Sequence, residues 1–193
     1  MRTLIFATGN PNKVREVNEL LAATDFNVQS LVQIGHTAEL EETRGTLRGN
    51  ALQKARFVRA TYGVDCFSED TGLEVDALDG APGVHTAYYG GAARSATANM
   101  DRVLRELRGK ADRGAQFRTV VALCIDGEEY LFEGVCRGVI RAARSGAGGF
   151  CYDPIFQPEG YDQTFAELDS ATKNGISHRG RAVRQLVAKL REL

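Results

Sequence analysis

Phe117-Arg118-Thr119-Val120-Val121-Ala122-Leu123-Cys124-Ile125 is followed by Asp126-Gly127 and then by Glu128-Glu129-Tyr130-Leu131-Phe132-Glu133-Gly134-Val135-Cys136. Two runs rich in β-branched and aromatic residues are thus separated by a dipeptide suited to a tight turn, which predicts a β-hairpin with strands over Phe117–Ile125 and Tyr130–Cys136. Val139-Ile140 extends the pattern towards a third strand. A hairpin requires antiparallel pairing, which favours a partly antiparallel sheet.

The segments before the hairpin alternate between strand and helix. Thr3–Ala7 reads as a short buried strand. Gly9 ends it, and Pro11 stands where a helix accepts its first residue. Val14, Val17, Leu20 and Leu21 then form an apolar stripe, with Lys13, Arg15, Glu16 and Glu19 elsewhere on the helix. Asn27–Val32 reads as a second strand, and residues 36–48 as an acidic irregular segment. A helix carrying Ala51, Leu52, Ala55 and Val58 ends near Gly63. Val64–Phe67 reads as a strand that delivers Glu69 and Asp70 at its carboxyl end. Gly72–Gly91 is rich in turn residues. Further helices are predicted over Thr97–Leu107 and Arg181–Leu193. Alternation followed by a hairpin predicts an α/β fold with a long mixed sheet flanked by helices.

The bulk numbers narrow the function. The 193 residues suit one domain, spanning 1–193, or two small lobes sharing a core. A net charge of −1 supplies no positive field for a nucleic-acid backbone and favours a small ligand. No apolar run approaches the roughly 18 residues of a membrane span, and the N-terminus reads as a strand instead of a secretory leader. These features predict a cytoplasmic protein with no membrane or nucleic-acid partner. Cys66, Cys124, Cys136 and Cys151 lack C-x-x-C spacing and read as reduced thiols.

Three clusters carry candidate chemistry. Thr8-Gly9-Asn10-Pro11-Asn12-Lys13 spans a strand-to-helix turn, where outward amides and the helix dipole favour an anion and Lys13 can reach back to a phosphate. The same spacing suits a plain αβ connection. Ser68-Glu69-Asp70-Thr71-Gly72 offers hard oxygen ligands, with Asp70 the candidate for a divalent cation and Glu42 the candidate second carboxylate. If the strand continues, Glu69 points away from Asp70. Phe150 and Tyr152 stand beside Gly146, Gly148 and Gly149, and Asp153 precedes Pro154, which biases it towards extended backbone. Ser177-His178-Arg179-Gly180 precedes the last helix, where His178 and Arg179 can donate to a ring carbonyl. A core Phe, a turn Asp and helix-terminal charges are the structural alternatives. Neither a Walker A loop nor G-x-G-x-x-G is present.

Taken in order, these motifs resemble the inosine triphosphate pyrophosphatases. The matching residues are Thr8-Gly9-Asn10 with Lys13 and Glu16; Asn50-Ala51 with Lys54-Ala55; Asp70-Thr71-Gly72-Leu73 with Gly80-Ala81-Pro82-Gly83; Gly149-Phe150 with Tyr152-Asp153-Pro154-Ile155-Phe156; Lys173; and Ser177-His178-Arg179-Gly180. The resemblance covers nearly the whole chain. It implies a Mg²⁺-dependent homodimeric hydrolase, with two lobes around a central cleft, that converts ITP, dITP or XTP to the monophosphate and pyrophosphate. It implies that Thr8–Lys13 and Lys54 hold the triphosphate, that Asp70 is the catalytic carboxylate, and that Glu42 helps Asp70 hold Mg²⁺. Thr71 is expected to touch substrate and Phe150 to stack on the base, with Cys151, Tyr152 and Asp153 at the pocket wall. Lys173, His178 and Arg179 are expected to read the ring edge. A related enzyme acting on methylated or pyrimidine triphosphates, or a non-hydrolytic nucleotide sensor, is the alternative.

The chain departs from the family pattern at three places. An acid usual before Asn50 is replaced by Gly49, Cys151 stands where glycine is common, and Glu69 stands where many members have Asp.

Overall fold

The computed structural model describes residues 2–21 and 25–193. In chain order the elements are β1 (Arg2–Phe6), α1 (Pro11–Leu21), β2 (Phe26–Ser30), α2 (Leu47–Tyr62), β3 (Cys66–Val75), β4 (Pro82–Gly83), α3 (Ala96–Glu106), β5 (Gly114–Ile125), β6 (Glu128–Ile140), β7 (Phe156–Pro158), α4 (Ser170–Ile176) and α5 (His178–Leu190). Short 3₁₀ turns connect several of them. The sheet order is β2-β1-β3-β5-β6-β7, with β4 paired to β3. Pairing is parallel between β1 and β2 and between β1 and β3, with Ile5 opposite Cys66, and antiparallel between β6 and β7. The sheet is therefore mixed, as the hairpin demanded. Asp126 and Gly127 both have positive φ, 50° and 94°, the backbone a two-residue hairpin loop requires.

The chain forms two compact units. The first runs through Asp70 and takes back Thr119–Gly134 and Arg179–Leu193; the second comprises Thr71–Arg118 and Val135–His178. Strands β3, β5 and β6 each contribute one part to either unit. In the first unit, Leu4, Phe6, Val17, Phe67, Val121, Leu123, Val183 and Leu186 form the core, with Phe6 stacked on Phe67 at 4.4 Å between centroids. Helices α1 and α5 thereby cover one face of this part of the sheet. Helix α2 covers the other face, where Cys66 donates to the Ala55 carbonyl and Ser68 to that of Ala51. In the second unit, Leu73, Val103, Leu107, Phe117, Ile140, Tyr152, Phe156 and Phe165 form a separate core.

Several local expectations change. Strand β3 does not stop at Phe67 but continues through Asp70-Thr71-Gly72 to Val75, so Asp70 lies within a strand and not in a turn beyond one. Val139-Ile140 belongs to the same strand as Tyr130. Val32 falls in a 3₁₀ turn, outside β2. Helix α4 is an addition to the predicted elements; it is seven residues long and is capped by Asp169, whose side chain accepts from the Thr172 amide. Asp153 is not extended: Asp153–Ile155 form a 3₁₀ turn, with Pro154 fitting its first positions.

Candidate functional site

In the first unit, side-chain alternation along β3 generates two charged clusters on opposite faces. Successive strand residues point to opposite sides. Cys66, Ser68 and Asp70 therefore face α2, while Phe67 and Glu69 face α1 and α5.

On the α2 side, Asp70 is 7% exposed. Its Oδ2 accepts from Asn50 Nδ2 at 3.1 Å, and its Oδ1 lies 3.5 Å from Lys54 Nζ. Asn50 and Lys54 are four positions apart on α2 and so share one helix face. Lys54 Nζ also donates to the Glu69 carbonyl at 2.8 Å and to Glu42 Oε1. Glu42 comes from the acidic segment, which is fastened to α2 at two points: Asn50 Oδ1 accepts from the Arg44 amide at 2.9 Å, and Gln53 Oε1 accepts from the Thr43 amide at 3.0 Å. Burial, reinforced by Glu42, holds the Asp70 carboxyl above the usual aspartate range against the pull of Lys54. Burial also disfavours the Lys54 ammonium, but Asp70 and Glu42 outweigh it and raise its pKa, so Lys54 is charged.

On the opposite side, Glu69 accepts a forked pair from Arg179, with Nε–Oε2 at 2.8 Å and Nη2–Oε1 at 2.9 Å. Glu16 accepts from Nη1 of the same guanidinium, and Lys13 Nζ lies 3.2 Å from Glu69. Burial works against the Glu69 charge, yet Arg179 and Lys13 hold its pKa down at about 2. This differs from the expectation that Arg179 reads a ring edge. Its residue is 2% exposed, and three of its nitrogens are committed to carboxylates. Glu16, read from the sequence only as lying off the apolar stripe of α1, is buried.

The Thr8–Lys13 turn is partly closed by its own side chains. Asn10 Oδ1 accepts from the amides of Asn12 (3.0 Å) and Lys13 (3.4 Å), capping α1. Thr8 Oγ1 accepts from the Asn10 amide at 3.2 Å. The outward amides expected for a phosphate at Asn10, Asn12 and Lys13 are thus engaged internally, and Pro11 has none.

The second unit holds the base candidates other than Arg179. Lys173, on α4, donates to Asp153 Oδ2 at 2.8 Å and sits over the Phe150 ring, 5.0 Å from its centroid. Asp153 Oδ2 also accepts from the Phe150 amide at 2.8 Å. Gly149 has φ +73°, and a Cβ there would stand 2.1 Å from Asp153 Oδ2, so no other residue fits this turn. Cys151 occupies the same left-handed region at φ +55°, the physical reason glycine suits its position. Tyr152 is fully buried and donates to the Thr86 carbonyl at 2.8 Å; burial pushes its hydroxyl pKa up. It is a core residue and not a wall. His178 is 3% exposed and stacks on Phe117 at 4.6 Å. Thr71 is half-buried in β3.

The structure therefore brings Glu42, Lys54 and Asp70 together, as well as Phe150, Asp153 and Lys173. It adds Asn50, Glu69 and Glu16, which had no assigned role. Their signal was weak: Asn50 and Glu16 were motif members only, and the partner of Glu16 lies 163 positions away.

The first unit thus presents a mixed α/β sheet that carries a carboxylate–ammonium cluster, with Asp70 and Lys54 buried and Glu42 reaching in from an exposed segment. The chain belongs to the Ham1 family, whose sequence profile matches residues 4–189. It is 46% identical over 184 residues to the dITP/XTP pyrophosphatase of Flavobacterium johnsoniae, spanning 95% of each chain. It is 49% identical over 187 residues to the dITP/XTP pyrophosphatase of Porphyromonas gingivalis, spanning 96% of each. The solved HAM1 protein from Coxiella burnetii matches with a TM-score of 0.92 at 34% identity, over 100% of both chains.

Proposed function

We infer that this protein hydrolyses deaminated purine nucleoside triphosphates, ITP, dITP and XTP, to the monophosphate and pyrophosphate, removing them before polymerases use them. The observation that carries this reading is full-length similarity to relatives named dITP/XTP pyrophosphatases.

The donor set fits a Mg²⁺ ion. Glu42 and Asp70 are hard oxygen donors held by Asn50 and α2, and Mg²⁺ commonly takes one or two carboxylates plus waters and substrate phosphates. When bound, the ion neutralises phosphate charge that otherwise repels a nucleophile. Asp70 accepts the proton of the attacking water, a role helped by the burial that raises its pKa. Lys13 and Lys54 supply positive charge to the triphosphate. The first unit holds the residues assigned to metal and phosphate, and the second holds Phe150, Asp153 and Lys173. There Phe150 offers a stacking face, and Lys173, anchored by Asp153, donates to the 6-oxo group. Adenine presents a 6-amino donor instead and leaves that donor unmatched. Arg179 acts through Glu69 and Glu16 as a brace under Lys13. The reading includes a single enzymatic domain over residues 1–193, a homodimer and a cytoplasmic location. Among the described residues no helix is long and apolar enough to cross a membrane.

Pyrophosphate release from a panel of nucleoside triphosphates, with and without Mg²⁺, tests the reading. Fast release from ITP and XTP and slow release from ATP is expected. Preference for a pyrimidine or methylated substrate, or binding without release, overturns it.

A further inference from the structure

We propose that Lys54 is the resident counter-ion of the carboxylate pair, and that a divalent cation enters between Glu42 and Asp70 by displacing its ammonium, which then turns to the substrate's phosphates. This rests on the reading of Glu42 and Asp70 as the residues that hold the metal.

The geometry points this way for three reasons. First, an ammonium has three donors, and those of Lys54 are matched by Glu42 Oε1, the Glu69 carbonyl and Asp70 Oδ1. Its side chain is only 7% exposed, so the ammonium is built into the cluster. Second, the buried Asp70 carboxylate is costly without an adjacent cation, whereas Glu42 reaches in from an exposed position, and two cations on the same oxygens repel each other. The pair therefore favours the ammonium or the metal over both together. Third, the two oxygens of Asp70 are divided. Oδ2 is held by Asn50, while Oδ1 meets Lys54. Departure of the ammonium frees Oδ1 and leaves the carboxylate oriented by Asn50. The flexible four-carbon stem of lysine permits such a swing without moving α2.

The consequence is coupling. Metal entry costs the contacts of Lys54, and a triphosphate that accepts the displaced ammonium returns them. Metal and nucleotide then reinforce one another's binding by the same factor in either order.

The test uses Mg²⁺ alone. The protein is labelled with ¹⁵Nζ-lysine, the Lys54 resonance is assigned by its loss in Lys54→Arg, and Mg²⁺ is titrated in. Calorimetry runs in parallel on wild type, Lys54→Met and Asp70→Asn. The Lys54 signal is expected to shift saturably along the calorimetric binding curve, and Lys54→Met is expected to bind Mg²⁺ at least ~10-fold more tightly than wild type. If Mg²⁺ binds wild type and Asp70→Asn loses it, yet the Lys54 signal stays put, displacement is wrong and the metal reading stands. If Mg²⁺ binds neither wild type nor Lys54→Met, or binds Asp70→Asn as well as wild type, the metal reading fails and takes displacement with it. Should Lys54→Met not fold, the wild-type resonance alone decides.

Discussion

Glu69 and Asp70 are adjacent in the chain yet serve opposite faces of β3: Glu69 meets Arg179 at 2.8 Å on the side of α1 and α5, and Asp70 meets Asn50 at 3.1 Å on the side of α2. The period-two alternation of a strand separates them. One carboxylate is neutralised by a forked guanidinium and is structural. The other keeps an ammonium and an amide as neighbours and is chemically available.

Asp70→Asn keeps the shape of the side chain and its place beside Asn50, but loses the charge. Turnover of ITP is expected to fall about 10²–10⁴-fold, with a smaller rise in KM because the metal that supports nucleotide binding is held less well. Steady-state kinetics beside a circular dichroism melt checks this; near-normal kcat removes Asp70 from the proton transfer.

Glu69 carries a pH signature. Its pKa is lowered from 4.5 to about 2 on folding, so its contribution is fully present above pH 4.5 and drains away as pH falls from there towards 2. The difference corresponds to about 3 kcal/mol. Urea unfolding of Glu69→Gln is expected to show a loss of that order at pH 7 and a weaker acid dependence than wild type. Equal stability of the two proteins at pH 7 contradicts the ion pair.

The purine end separates affinity from selectivity. Phe150→Ala removes the stacking face and is expected to weaken ITP binding by about 1–3 kcal/mol, appearing in KM. Lys173→Met is expected to lower the ITP-to-ATP ratio of kcat/KM, since the 6-oxo acceptor loses its donor. An unchanged ratio rejects the assignment of Lys173.

Placing an acid at Gly49 is expected to fail. A Cβ at this position would lie 2.6 Å from Arg44 Cβ and 2.9 Å from Thr46 Oγ1, the atom that caps α2. Gly49→Glu is expected to destabilise by about 1–3 kcal/mol through this overlap, with no gain in activity. A thermal melt and an ITP assay check both parts.

Cys151→Gly is expected to be neutral or to stabilise by up to about 1 kcal/mol, because φ +55° strains any residue with a Cβ. A loss of stability in a thermal melt means that the thiol's packing outweighs the backbone strain.

Where local chemistry was enough, the sequence was legible. Alternating and helical apolar patterns located most strands and helices, and Asp126-Gly127 dictated the hairpin. The sequence by itself reads β3 as too short because Asp70-Thr71-Gly72 has the composition of a turn, whereas its neighbours in the sheet keep it extended. Helix α4 escaped because seven residues around a glycine carry little periodicity. The amides of the Thr8–Lys13 turn were expected to face a ligand, but a capping asparagine competes for them at shorter range.

Sequence alone determined the mixed α/β class and the family, because these depend on residue type and spacing along one dimension. Only the tertiary structure decided which charge meets which. Arg179 is joined to Glu16 across 163 positions, and Lys54 is suspended between Glu42 and Asp70. Such pairings arise from the faces that packed helices and strands present to each other, and no spacing in the chain encodes them.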